Sequence, residues 1–139
     1  MKIQRLLLLI SRFFLLNLLW EFLHYPLYND FSGMAEFPRL LVASFFDMLI
    51  LASIFVAVSI KNKNFKWAGK PSKTDYILIV LMGLLIAAFI EKTSIAAGRW
   101  DYKASMLTIF SIGISPLIQL FATMLISLGI LKFFEWNKK

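Results

Sequence analysis

Four long apolar runs dominate this chain, at residues 6–25, 40–60, 76–95 and 107–131, and little sequence is left between them. Each holds about 20–25 residues, enough for a helix rising 1.5 Å per residue to cross a hydrocarbon layer of about 30 Å. Inside such a layer every backbone N–H and C=O must be satisfied within a helix or within a closed barrel. A barrel needs roughly eight or more segments of about ten residues with alternating polarity, and these runs are apolar on successive residues. The sequence therefore predicts an all-α fold, a polytopic membrane four-helix bundle that uses residues 1–139 as a single transmembrane domain. Of the 139 residues, 60% are hydrophobic and 17% charged, against roughly 45–50% and 25% in soluble domains. A soluble core of this size has no means of hiding so much apolar surface. The chain has no cysteine, which excludes disulfides, thiol nucleophiles and thiolate metal sites.

A net charge of +7 raises the question of nucleic acid, and the placement of the basic residues answers it. Lys2 and Arg5 precede the first run, Lys61, Lys63, Lys66, Lys70 and Lys73 lie in loop 2, and Lys132, Lys138 and Lys139 end the chain. The opposite side carries Arg39, Lys92, Arg99 and Lys103. Ten against four predicts that both termini and loop 2 are cytoplasmic, in the cell (inner or plasma) membrane. Loop 2 then reads as a solvated turn facing headgroups, so the expected partners are membrane lipids and not nucleic acid. Arg12 interrupts the first run and no small-residue cleavage site follows it, so that run reads as a retained helix rather than a secretory signal. Arg12 lies about two turns in and is expected to snorkel back to the headgroups. Trp67, Trp100 and Trp136, with Tyr25, Tyr28, Tyr76 and Tyr102, fall near run ends, as interfacial aromatics do.

Ionisable side chains within a span cost several kcal/mol, or about 2.5–3.5 on insertion scales, so each must face protein, water or a partner. The first run carries Asn17, Glu21 and His24 on one helical face, with Tyr28 continuing the stripe. The second has Ser44 and Asp47; the third has Gly83, Ala87 and Glu91 four apart, a small-residue stripe that admits a neighbouring helix. The fourth repeats the pattern with Thr108, Ser111, Ser115, Gln119, Thr123 and Ser127, interrupted by Pro116. Four such faces make the inside of a bundle. With the N-terminus inside, Glu21, Asp47 and Glu91 lie about 7, 13 and 6 Å below the outer end, all in the outer half. Arg99, in loop 3, is the nearest cation in sequence for Glu91.

The pattern Trp20-Glu21 with Pro26-Leu27-Tyr28, Asp47, Glu91, Arg99-Trp100 with Tyr102 and Met106, and Ile114-Ser115-Pro116-Leu117 with Gln119 resembles a group of small four-helix bacterial membrane proteins of unassigned function. The resemblance spans nearly the whole chain through short motifs. It departs at His24, where Gln is common in that group, and at Leu107, where Pro often follows the Met. It groups the residues and implies no chemistry.

Three chemistries fit a cluster of buried carboxylates. Glu21-x-x-His24 has the spacing of carboxylate-bridged metal sites, but the single His leaves the second half of that motif missing; a mixed site of Glu21, His24, Asp47 and Glu91 for an oxygen-preferring ion is the form that remains, and the expectation is no metal or other cofactor. Carboxyl groups in a low-dielectric pocket serve as acid and base near neutral pH, which suits isomerisation, cyclisation or hydrolysis of a lipid, isoprenoid or other small apolar ligand. No nucleophile motif accompanies them. Transport is the third, and four helices would have to form a homo-oligomer to enclose a path. Against all three stands a structural or accessory subunit whose polar groups satisfy one another and hold the helices in register. Whether the chain is an enzyme stays open at this point. In the catalytic reading, Glu91 and Asp47 form the acid–base pair with Arg99 holding one ionised. Glu21 and His24 position substrate or relay protons. Trp20, Tyr28, Trp100, Tyr102 and Gln119 contact the substrate, lidded by loops 1 and 3. Ser115 beside Pro116 reads as packing at a proline kink.

Overall fold

The computed structural model describes residues 3–136, with side chains to residue 134. Lys2, Lys138, Lys139 and the Trp136 side chain, which entered the charge and aromatic counts above, lie outside the described residues. The chain is mostly helical: α1 (Ile3–His24), α2 (Glu36–Asn62), α3 (Lys73–Ala96) and α4 (Ile114–Trp136) are joined by loops that hold short strands β1 (Tyr28–Asp30), β2 (Trp100–Tyr102), β3 (Thr108–Ile109) and β4 (Ile112–Gly113). All four helices are long and apolar enough to cross a membrane. Their outward faces carry residues such as Leu19, Phe45, Leu85 and Phe89, while Asn17, Ser44, Gln119, Thr123 and Ser127 are buried.

The purely helical expectation is corrected by two small antiparallel sheets. Residues 107–113, expected to open the fourth helix, instead form the β3–β4 hairpin, pairing Thr108 with Gly113 and Ile109 with Ile112. Its two-residue turn has φ of 51° at Phe110 and 63° at Ser111, the positive values that a tight hairpin following the strand twist demands. Hydropathy does not distinguish a buried strand from a helix, so the break was invisible in a continuous apolar run. Pro116 therefore sits in the first turn of α4, where its missing N–H costs nothing, and starts the helix rather than kinking it. Pro38 plays the same part in α2, which begins at Glu36 rather than Leu40.

Loop 2 exposes all five of its lysines, but Trp67, expected as an interfacial aromatic, is buried: its Nε1 donates to Ser59 Oγ at 2.8 Å, and its ring meets Phe55 at 5.4 Å. Asp75 completes that end by accepting from Lys61 Nζ at 2.9 Å, Asn62 Nδ2 at 2.7 Å and the Ser72 N–H at 2.8 Å, so one carboxylate caps α3 and binds the end of α2. Arg12 reaches toward the end of α4 and stacks over Phe134 at 5.7 Å, its Nη1 buried without a hydrogen-bond partner among the described residues.

Helix α1 packs along α2 and α4, and α3 along α4, whereas α2 and α3 meet sparingly. The order around the molecule is thus α2–α1–α4–α3, an incomplete ring open between its two ends. Leu9, Phe13, Leu51, Ile54, Ile79, Met124 and Leu128 fill the core. At the opposite end from loop 2, β1 and β2 pair Tyr28 with Tyr102 and Asp30 with Trp100, tying loops 1 and 3 into one cover. Bonds from the Phe31 N–H to Arg99 O at 3.1 Å and from the Lys103 N–H to Leu27 O at 2.9 Å extend it.

The α3–α4 seam depends on Gly83, where an added Cβ would lie 2.9 Å from Phe121 Cβ and 3.0 Å from Phe121 N. Backbone cannot give way as a flexible side chain can, so overpacking outweighs the roughly 1 kcal/mol that Ala gains in helix propensity. Gly83→Ala should lower stability by about 1–2 kcal/mol net, read as a fall in Tm in mild detergent. A raised Tm would show that the two helices separate freely.

Candidate functional site

A cavity of about 470 Å³ occupies the gap between α2 and α3 beneath the loop cover, within the roughly 300–1,000 Å³ usual for small-molecule sites. One wall is apolar, with Val42, Ala43, Phe46 and Ile50 from α2, Ile90 from α3 and Leu120 from α4. The other carries Glu21, His24, Tyr28, Asp47, Glu91 and Gln119, with Arg39, Arg99 and Trp100 also lining the space. Of the residues expected at the site, Trp20 and Tyr102 do not line it but bond to groups near it.

Gln119 is the centre of the polar wall. Its Nε2 lies 3.1 Å from Asn17 Oδ1, 3.0 Å from Glu21 Oε1 and 2.8 Å from Asp47 Oδ2, so two amide hydrogens serve three acceptors from α1 and α2. The helical spacing of Asn17 and Glu21 puts both on the face of α1 that meets α4. Asn17 is held in turn by its Nδ2 donating to Phe13 O at 2.8 Å. The Glu21 and Asp47 carboxyls both accept from Gln119 Nε2 and so stand side by side at that amide. A chain of bonds leads on from this pair. His24 Nε2 is 3.2 Å from Glu21 Oε1, and His24 Nδ1 is 3.0 Å from Ser115 Oγ, which accepts from Trp20 Nε1 at 3.1 Å. With Trp20 donating, the Ser115 hydroxyl is free to donate to Nδ1, leaving Nε2–H to face Glu21.

Glu91 has a separate surround. Its Oε2 accepts from the Tyr102 hydroxyl at 2.6 Å, the Tyr28 hydroxyl at 3.3 Å and Trp100 Nε1 at 3.4 Å. Burial and the neighbouring Glu91 charge push both tyrosine pKa values up, so the hydroxyls remain donors. The Tyr28 ring meets the His24 ring edge-on at 5.2 Å and thereby joins the two clusters.

These contacts correct two expected roles. Arg99 lines the cavity but makes no ion pair with Glu91 among the described residues; aromatic donors hold that carboxylate instead. Ser115 is a hydrogen-bond link rather than packing at a kink. Among the described residues no three His or carboxylate side chains are placed to hold a metal ion. Sequence reasoning missed the Arg39–Asp30 pair at the cavity mouth, with Nε 3.1 Å from Oδ2 and the guanidinium 5.2 Å above the Trp100 ring. Arg39 had served only in the charge count, and β1–β2 pairing, which brings Asp30 beside Trp100, has no periodicity to announce it.

Removing Gln119 leaves Asn17, Glu21 and Asp47 competing for fewer donors, so a Gln119→Ala, Asp47→Ala double-mutant cycle should show coupling of about 1–2 kcal/mol in detergent unfolding. Additive effects would separate the two residues. Burial raises the Asp30 pKa, but the Ser32 N–H and hydroxyl, the Arg39 charge and the Tyr25 hydroxyl together hold it below the ordinary value. A depressed folded pKa contributes stability that is present above the unfolded value and lost as pH falls through the folded one. Acid titration of tryptophan fluorescence should therefore show a transition below about pH 4 that Asp30→Asn removes, and an unchanged titration in that variant would detach the pair from the cover. Comparison with protein families, curated proteins and solved structures finds no match to this chain.

Proposed function

We propose that this is a multi-pass protein of the cell membrane, with both termini cytoplasmic, that admits a lipid- or isoprenoid-like amphiphile sideways between α2 and α3 and transfers protons at its polar end. The observation that carries the reading is the cavity itself: a bundle that only held helices in register would fill the gap that here stays open between α2 and α3. Its apolar wall, with Val42 and Phe46 exposed at the rim, suits a hydrocarbon chain arriving from the bilayer. Asp47 on α2 and Glu91 on α3 face one space, so an acid and a base stand on either side of a bound molecule. Shifting a double bond needs only that arrangement, one group giving a proton while the other removes one. His24 bonds Glu21, and Glu21 and Asp47 adjoin at Gln119, so Asp47 exchanges its proton along that side, while Glu91 stands outside that chain and exchanges its own through the cavity it lines.

A second reading, a scaffold subunit, is favoured by the way Gln119 ties α1 and α2 to α4. Native mass spectrometry of the protein in mild detergent separates the two and gives the subunit number in the same spectrum. The ligand reading expects a retained lipid-sized mass that Asp47→Asn or Glu91→Gln depletes several-fold while the Tm stays within a few degrees. A clean apo mass, unchanged in both variants, assigns the polar network to holding the helices.

A further inference from the structure

We infer that the amphiphile taken up by this cleft carries an anionic, phosphate-like head, held at the mouth by the Arg39 and Arg99 guanidinium groups. The inference rests on the cleft being a ligand site and goes on to name the chemistry of the head. Both arginines line the cavity, at the end covered by loops 1 and 3, while the apolar wall runs below them along α2 and α3. A chain laid along that wall puts its polar end at the two arginines.

The hydrogen bonds already made inside the site show which charge is still available to a guest. The acids are occupied by internal donors: Glu91 takes Tyr102, Tyr28 and Trp100, Glu21 takes His24 and Gln119, and Asp47 takes Gln119. A cationic head would have to displace several of these at once. The arginines are less engaged. Asp30 takes Arg39 through Nε, leaving the terminal nitrogens with their N–H donors, in the planar fork that suits a phosphate. Trp100 beneath the guanidinium fixes its plane without using those donors. Arg99 follows the left-handed turn at Gly98, is exposed, and brings a second charge to the same rim. Arg39 and Arg99 bring two guanidinium groups to this rim, only one of them paired with Asp30, over a low-dielectric space that strengthens any charge pair formed there. Asp30 is then a resident anion that competes with the guest for Arg39.

The test uses the full-length protein in a phosphate-free, uncharged detergent, titrated with dodecyl phosphate, dodecanol and inorganic phosphate and read by native mass spectrometry. Dodecyl phosphate should bind at least about tenfold more tightly than dodecanol, the scale of one charge-assisted contact. The doubly neutral Asp30→Asn, Arg39→Gln variant keeps a hydrogen-bonding pair under the cover and should lose most of that preference, read as the ratio of dodecyl phosphate to dodecanol affinity within the variant. Asp30→Asn alone should increase dodecyl phosphate affinity several-fold, a gain that a purely structural ion pair would not produce. Equal binding of phosphate and alcohol to the wild type overturns the anionic head but leaves the cleft as an amphiphile site. Binding of neither overturns both readings. Inorganic phosphate binding as tightly as dodecyl phosphate would make the ligand a soluble anion, and a preference that survives in the double variant would remove Arg39 from the site.

Discussion

One side-chain amide organises the interior of this protein. Gln119 projects from α4 among apolar helices, where an unmatched polar group costs far more than in water, and it finds acceptors on α1 and α2 at once. Each contact fixes a register: Asn17 and Glu21 set the height of α1 against α4, and Asp47 sets that of α2. The acceptors are themselves tied, Asn17 to the carbonyl of Phe13 and Glu21 to His24, so no member can slide without unsatisfying another. Such networks are costly when broken and specific when complete. Helix α3 alone stands outside this arrangement. It is held by close packing of Gly83 on Phe121 and by Asp75 at the loop-2 end.

That exclusion explains where the cavity lies. Polar ties draw α1, α2 and α4 together at the height of Gln119, while α3 follows α4 and has no comparable tie to α2 at that level. The bonds that do join α2 to the start of α3 are at the far end, through Asp75, Asn62 and Lys61, where Trp67 also closes the core. Two helices fastened at one end and unfastened at the other leave a wedge, and here it opens beside the carboxyl groups that face it.

Much of this was legible in the sequence because burial in a bundle leaves a periodic mark. Asn17, Glu21 and His24 share a helical face by spacing alone, and Asp47, Glu91 and Gln119 stand out as polar groups in apolar runs. The four long helices follow from run length. What was not legible depends on chain reversals and on partners distant in sequence. The β3–β4 hairpin hid inside a continuous apolar run because its turn is made at Phe110 and Ser111, where no Gly or Asn signals positive φ. The donors to Glu91 were assigned to Arg99 by proximity in sequence, yet β1–β2 pairing sets Tyr28 opposite Tyr102, and both hydroxyls reach the carboxylate. Arg39 and Asp30 flank a loop whose closure no local pattern encodes.

The same sheet makes cover and chemistry inseparable. Tyr28 leads out of α1 through the turn at Tyr25–Leu27, Tyr102 comes from loop 3, and they are register partners in a two-stranded sheet too small to be stable by itself. Their hydroxyls meet on Glu91, so the carboxylate helps to hold the sheet as much as the sheet surrounds the carboxylate. Lifting the cover away from the bundle would strip Glu91 of its strongest donor and expose it to whatever fills the cavity. The Arg39–Asp30 pair and the stacking of Arg39 on Trp100 fasten that cover to the start of α2, across the gap that α2 and α3 leave open. The cover is therefore pinned by contacts to the two groups, Arg39 and Glu91, that an anionic head and an acid–base step would each engage, and occupancy of the cleft and closure of its roof draw on the same side chains.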